Sequence, residues 1–366
     1  MIPFLDLKAE YESIRGEIDS AIREVIENTA FINGPYKKRF EENFAKYLGV
    51  KNCIGCANGT LAIFIALKAL DVKEGDEVIT VPNTFIATTE MITAVGAKIV
   101  FTEIDKRTYT MDPSKLEEKI NSKTKVILPV HLYGMPCDMN PILEIARKHE
   151  IKVVSDAAQA HGAEYNGVKI GGGGLSDITT FSFFPGKNLG AYGDGGAVAT
   201  DDNELAVKIR MLIDHGRTKK YEHEIEGYNM RVDDIQSAIL DVKLNYLDNW
   251  NEKRRKIAEK YNKAFEKVSD IVIQYVPDYA LPVYHLYVIQ TDKRDYLIEE
   301  LKKRGVTTGI HYPIFLPDQP AYKHLNIKNF QFERELSKRI LSLPIYPQMK
   351  DEDVEFVINS ILEAIS

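Results

Sequence analysis

The chain has 366 residues, 44% hydrophobic and 28% charged, with a formal net charge of −7. That is ordinary composition for a globular protein with one large core and a smaller one, and an acidic balance without a local basic run excludes an electrostatic footprint for nucleic acid. Met1 to Leu7 is too short and mixed for a signal peptide and no apolar run reaches spanning length, so no membrane partner is expected; Cys53, Cys56 and Cys137 fit a reducing cytoplasm, and the C-x-x-C of the first two lacks the second ligand pair of a zinc site.

Ile14, Ile18, Ile22 and Val25 recur at helical spacing. Asn33-Gly34-Pro35 breaks that helix, and Phe40, Phe44, Tyr47 and Leu48 stripe a second one. Asn58 then precedes Gly59-Thr60 and an apolar run, 61–70, which reads as a buried helix with Asn58 as its cap. Free N–H groups and the Thr60 hydroxyl at that N-terminus would also seat a phosphate; capping alone explains Asn58 equally well.

From here strands alternate with helices, the rhythm of a mostly parallel sheet. Strands are expected at 77–81, 98–104 and 125–130. Helices are expected from Thr84 to Val95, from Asp112-Pro113 onward, and from Pro141 to His149. Phe85 follows a strand at the carboxyl edge, where open α/β sheets bind ligands; it is either core or a stacking ring. The apolar strand from Ile151 ends in Asp156, followed by Gln159 and His161. A carboxylate closing a buried strand requires a cationic or hydrogen-bonding partner, for example a protonated pyridinium nitrogen.

The run from Phe181 to Thr200 places Lys187 between aromatic residues and a glycine-rich turn, with Ser182 on the strand leading in. Desolvation in such a setting lowers an amine's pKa and prepares it for Schiff-base chemistry. A solvated lysine on a surface turn fits the segment equally well. Asp202 to Ile213 reads as a helix ended by His215-Gly216, and long helices are expected from Asp234 to Phe265. Beyond them come strands near 271–276 and 283–290 and helices near 295–304 and 351–364. The domain boundary is placed to give 1–247 and 248–366. His131 and His285, in strand-like runs, read as structural.

Taken together, Gly59-Thr60, Phe85, D-A-A-Q-A-H-G (156–162), S-F-F-P-G-K-N-L-G-A-Y-G-D-G-G (182–196) and the G-x-N-x-R segment at 227–231 resemble the pyridoxal-phosphate nucleotide-sugar aminotransferases. The likeness spans nearly the whole chain. It implies an α/β fold-type I aminotransferase: a large domain with a mostly parallel central sheet flanked by helices, and a smaller C-terminal α+β domain. It implies Lys187 as the lysine that bonds to the cofactor and Asp156 on the ring nitrogen. Gln159 would lie near the ring hydroxyl, Phe85 on the ring face, and Gly59, Thr60 and Ser182 around the phosphate of pyridoxal 5'-phosphate. Asn229 would reach the phosphate of a neighbouring subunit in a homodimer with shared active sites. Arg231, His311 and Tyr312 would contact substrate.

The expected reaction is transamination of a nucleotide-linked keto sugar with L-glutamate as donor. The segment after the lysine, with Leu189 and Asp194, looks like the branch acting on 3-keto sugars. Residues 188–194 are therefore expected to border the reacting sugar carbon. A dTDP-3-keto-6-deoxyhexose is the first expectation, with UDP-linked 3-keto amino sugars and 4-keto sugars as alternatives. A non-catalytic regulatory homologue is the rival from another class, and retention of Lys187, Asp156 and Gln159 together argues against it. A dehydratase offshoot, with His in place of the lysine, is excluded by Lys187.

Overall fold

A computed structural model describes residues 1–365. Its centre is a seven-stranded sheet in the spatial order Asn52–Cys56, Gly196–Thr200, Ile178–Ser182, Lys152–Asp156, Thr124–Ile127, Glu77–Thr80, Lys98–Phe101. Only Gly196–Thr200 runs against its neighbours; the rest share one direction. Most positions of these strands are buried on both faces, which is why the sequence shows apolar runs rather than alternation. The helix Gly59–Ala69 is buried nearly all round, with Ile65, Ala66 and Leu67 fully enclosed.

The parallel strands and their helices stand where the sequence places them, within a few residues. The segment from Asp112 differs: two short 3₁₀ turns, Pro113–Lys115 and Glu117–Lys119, take the place of an α-helix. Asp112 caps the first through the Ser114 N–H at 2.9 Å, and Ile120 returns to extended backbone before an α-helical bond forms. The expected strand at 283–290 is confined to Tyr287–Gln290. The earlier Ala280–Leu281 pairs instead with Glu164–Tyr165.

The helix Leu247–Phe265 leaves the main core at Leu247 and enters a second core at Ile257, Tyr261 and Phe265. That second core packs under the antiparallel strands Val272–Ile273, Tyr287–Gln290 and Ile340–Leu343, with the helices Arg294–Lys303 and Asp351–Ile365. The N-terminus joins it, because Ile2 pairs with Val306 and is itself buried there. Gly309 bridges to Ser342 in this second unit, and from there the chain runs to Tyr312 at the carboxyl edge of the main sheet.

Candidate active site

Parallel strands deliver their last residues to one edge, and here that edge receives Asp156 from Lys152–Asp156 and Ser182 from Ile178–Ser182. Asp156 is buried. Its Oδ1 accepts from the Ala158 N–H at 3.1 Å and its Oδ2 from the Thr88 hydroxyl at 2.9 Å, and Thr88 in turn meets Thr84 at 2.9 Å. Burial pushes the Asp156 carboxyl above its ordinary range. The Ala158 N–H, the Thr88 hydroxyl and the charge of Lys187 oppose that shift.

Lys187 sits in the turn that follows Ser182. Its N–H donates to the Phe184 carbonyl at 2.8 Å, and the Ala191 N–H closes the turn on the Phe183 carbonyl, also at 2.8 Å. Gly190 is required there, because a Cβ would lie 2.3 Å from the Pro185 carbonyl oxygen. The Lys187 amine has no hydrogen bond or ion pair among the described residues, and burial lowers its pKa to about 8 against the pull of Asp156. Lys187 is partly enclosed and lines a cavity instead of standing on an open surface turn.

Across the cavity, Asn58 caps the helix Gly59–Ala69 through the Leu61 N–H at 2.8 Å. The Gly59 and Thr60 N–H groups have no protein acceptor among the described residues, so the cap and an anion seat coexist. Gly59 lies so close to Ser182 that a Cβ would stand 2.4 Å from the serine Cβ. Phe85 precedes the helix Ile86–Ala94 and leaves 52% of its surface exposed, its ring 5.6 Å from that of Tyr312. Gln159 is held at both ends: its Oε1 accepts from the Tyr133 N–H at 2.6 Å and its Nε2 donates to the Tyr312 hydroxyl at 3.2 Å. The Tyr133 hydroxyl donates to the His311 carbonyl, and the His311 ring pairs with Ser342 at 2.9 Å and stacks on Phe4.

These groups enclose a cavity of about 470 Å³ whose lining includes Gly59, Thr60, Phe85, Asp156, Gln159, Ser182, Lys187 and Tyr312. His311 lies just behind Tyr312 rather than on the lining. Asn229 and Arg231 lie outside this cavity: Asn229 bridges to Asp214, and the Arg231 guanidinium is ion-paired with the same Asp214. A second groove, beside Lys37, Glu41, Arg210 and Arg217, carries ion pairs of Arg210 with Glu41 at 2.9 Å and of Arg217 with Asp214 at 2.7 Å.

Leu189 is a correction. It is fully buried in the main apolar core, and the Asn188 side chain is taken by Asn251 at 2.9 Å and the Val283 carbonyl at 3.0 Å. Of the stretch 188–194, only Asp194 lines the cavity. His285, beside Asn188 Oδ1 at 3.2 Å, is part of that packing, while His131 does reach the cavity lining, with its Nδ1 occupied by the Cys137 N–H at 3.0 Å.

Sequence reasoning missed Thr84 and Thr88. Thr84 precedes the helix Ile86–Ala94 and Thr88 lies in its first turn, so their hydroxyls meet at the helix start. Tyr133 is also missed; it holds a left-handed φ of 63° and carries no sequence mark.

The site thus offers a buried acceptor for a cation, unfilled N–H donors for an anion, a half-exposed aromatic face and an amine without a partner. A flat, singly cationic ring bearing a phosphate and an aldehyde satisfies all four, and pyridoxal 5'-phosphate is such a molecule. The fold and this edge define a pyridoxal-phosphate-dependent aminotransferase. The chain belongs to the DegT/DnrJ/EryC1/StrS aminotransferase family, whose profile matches residues 12–362.

Among its relatives, a "Pleiotropic regulatory protein" of Geobacillus stearothermophilus is 45% identical, covering 99% of this chain and 98% of the relative. The "dTDP-3-amino-3,6-dideoxy-alpha-D-galactopyranose transaminase" of Aneurinibacillus thermoaerophilus is also 45% identical, covering 99% of each. The crystal structure of S. venezuelae DesV in complex with a ketimine intermediate superposes with a TM-score of 0.97 at 40% identity, covering 100% of this chain and 99% of that one.

Proposed function

We propose that this aminotransferase transfers the amino group of L-glutamate to a dTDP-linked 3-keto-6-deoxyhexose, giving the 3-amino sugar. The observation that carries the reading is one cavity in which the partnerless Lys187 amine and the buried Asp156 carboxylate stand with the open N–H groups of Gly59 and Thr60. The Aneurinibacillus relative, whose name specifies a dTDP-linked 3-amino sugar, supports the position and the nucleotide. Asp194, on the cavity wall in the segment that follows the lysine, is the residue we assign to reading the ring position.

Pyridoxal phosphate, when bound, supplies an aldehyde that captures the amine and a ring that stores the electron pair released with the donor's α-proton. Lys187 Nζ would hold the cofactor covalently and, once released from it, would move that α-proton. Asp156 would keep a proton on the ring nitrogen. Gly59, Thr60 and Ser182 would hold the phosphate, Phe85 would cover the ring face, and Gln159, whose amide Tyr312 steadies, would orient the ring hydroxyl. A glycine at 59 lets the helix start lie against Ser182, which brings its open N–H groups beside that hydroxyl.

In this reading the enzyme is a cytoplasmic homodimer with residues 1–247 as the cofactor domain and 248–366 as the smaller one. Asn229 and Arg231, which lie outside their own cavity, serve the partner subunit's. His311 carries Tyr312 toward the sugar. The regulatory name of the Geobacillus relative does not favour a non-catalytic protein, because Lys187, Asp156 and their supporting hydrogen bonds are complete here.

The test is to offer both keto isomers of dTDP-6-deoxyglucose and a UDP-linked 3-keto amino sugar with L-glutamate, and to locate the new amine by NMR. An amine at C3 of the dTDP sugar is expected; an amine at C4 alone, or on the UDP sugar alone, overturns the assignment. Mixing Lys187→Ala with Asn229→Ala subunits should leave one intact site per mixed dimer. An active monomer in sedimentation would remove the shared-site claim.

A further inference from the structure

The turn that presents Lys187 is gripped from outside the cavity. Lys243, on the helix Asp234–Leu244, is completely buried. Its ammonium lies 2.6 Å from Glu10 Oε1, donates to the Gly190 carbonyl at 2.7 Å, and sits over the Tyr192 ring 4.3 Å from its centroid. Glu10 belongs to the first helix, Leu7–Ser13, and is also buried. Neither residue lines the cavity. Between Lys187 and Gly190, Asn188 is bonded to Asn251 and to the Val283 carbonyl. Two of the three residues that follow Lys187 are therefore anchored, and the Lys187 side chain is left without a partner.

A buried ion pair is weak evidence of a stability role, since well-packed apolar side chains of similar volume often serve as well or better. An apolar pair, however, could not aim a hydrogen bond at Gly190. That carbonyl has no other donor among the described residues. Gly190 itself cannot be replaced, because it rests against the Pro185 carbonyl at the base of the turn.

We propose that the Glu10–Lys243 pair is a positioning device for the lysine turn: it fixes Gly190, and through Gly190 the tip that carries Lys187. The pair acts on the reaction only through Lys187, so the proposal rests on Lys187 being the reacting lysine. A shift of the amine by about 1 Å is enough to cost a hundredfold in rate.

The experiment compares the full-length holoenzyme with a Glu10→Met, Lys243→Met double variant, which removes both members of the pair together; the buried Arg254 guanidinium loses the nearby Glu10 charge but keeps its bonds to the Tyr284 and Ile345 carbonyls. The variant is expected to fold, with kcat lower by about tenfold to a hundredfold and KM for the amino donor within about twofold. Hydrogen exchange read by mass spectrometry supplies the second measurement. The turn peptide 183–191 should be protected in the wild type and should exchange at least about tenfold faster in the variant, while 196–200 stays unchanged.

Wild-type kcat with unchanged turn exchange would show the pair to be packing only. A rise in exchange across the whole sheet would mean general destabilisation and would likewise overturn the proposal. Should the variant fail to fold, the wild-type protein decides: protection of the turn supports the anchor, and exchange as fast as in the exposed segment 218–223 removes it. None of the exchange measurements depends on transamination. Failure of the functional assignment would appear elsewhere, as turnover retained by Lys187→Ala.

Discussion

Two sheltered lysines, Lys187 and Lys243, are held on either side of one glycine turn. Burial lowers the pKa of both. Lys243 is matched by Glu10, the Gly190 carbonyl and the Tyr192 ring, and its charge serves to hold backbone in place. Lys187 has none of these, only a carboxylate across the cavity that is already engaged by Thr88 and Ala158. Burying an ammonium is costly unless it is paired. A protein that pairs one lysine fully and leaves its neighbour open has put the reactive group where the partner is missing.

The comparison breaks first at Lys187 itself. Lys187→Ala is expected to lower transamination by roughly 10⁴-fold, the upper range for a lost proton-transfer group, while circular dichroism and the unfolding transition stay close to wild type. Turnover at a wild-type rate without added amines would mean that the partnerless lysine is not the reacting one.

Asp156→Asn comes next. The amide keeps the volume but cannot hold a cationic ring proton, and one of its faces now presents a donor where Thr88 or Ala158 also donates. The expected loss is about a thousandfold in rate, with the cofactor still retained as judged by its absorbance. A loss under tenfold would move the electron-withdrawing role to another residue.

How much of this could be read in the sequence follows the same division. Lys187 and Asp156 stand out because each is set among residue types that do not ordinarily surround a charge: glycine and aromatics for one, the end of an apolar strand for the other. Lys243 lies in an ordinary amphipathic helix and pairs with a glutamate at the opposite end of the large unit, so no local pattern marks it. Leu189 misled because proximity in sequence to Lys187 was read as proximity to the ligand. In a tight turn successive side chains diverge, and Leu189 turns into the core while Lys187 faces the cavity. The strand Ile340–Leu343 and the docking of Ile2 beside Val306 depend on pairing between distant segments, which periodicity does not report.

A smaller change sharpens the floor of the site. Thr88→Val preserves shape but removes the hydroxyl that donates to Asp156 and leaves the Thr84 hydroxyl without its mate. The cost should be about 1 kcal/mol, seen as a lower urea midpoint, and a fall of about fivefold in kcat. Thr88→Ser should restore most of both. A Val variant close to wild type beside a Ser variant that loses would point to packing by the methyl group instead of the hydrogen bond.

The gentlest test is one of pH, on the chain freed of cofactor. The Lys187 amine has a folded-state pKa of about 8 against an ordinary value of 10.5, with burial as the main cause. Between those values the unfolded chain binds the proton that the folded chain has released, so the contribution of this group to stability rises with pH across that window. Below about pH 8 both states carry the charge, and the cost of sheltering it is present in full; above about 10.5 it is gone. Lys187→Met abolishes the titration without emptying the space. The variant should therefore exceed the wild type in urea midpoint at pH 7, and that advantage should shrink as the pH approaches 10. Other lysines and tyrosines titrate over the same range, but equally in both proteins, so the difference between the two midpoints isolates Lys187. A difference that stays constant from pH 7 to 10 would mean that the amine is already solvated and that its missing partner is water.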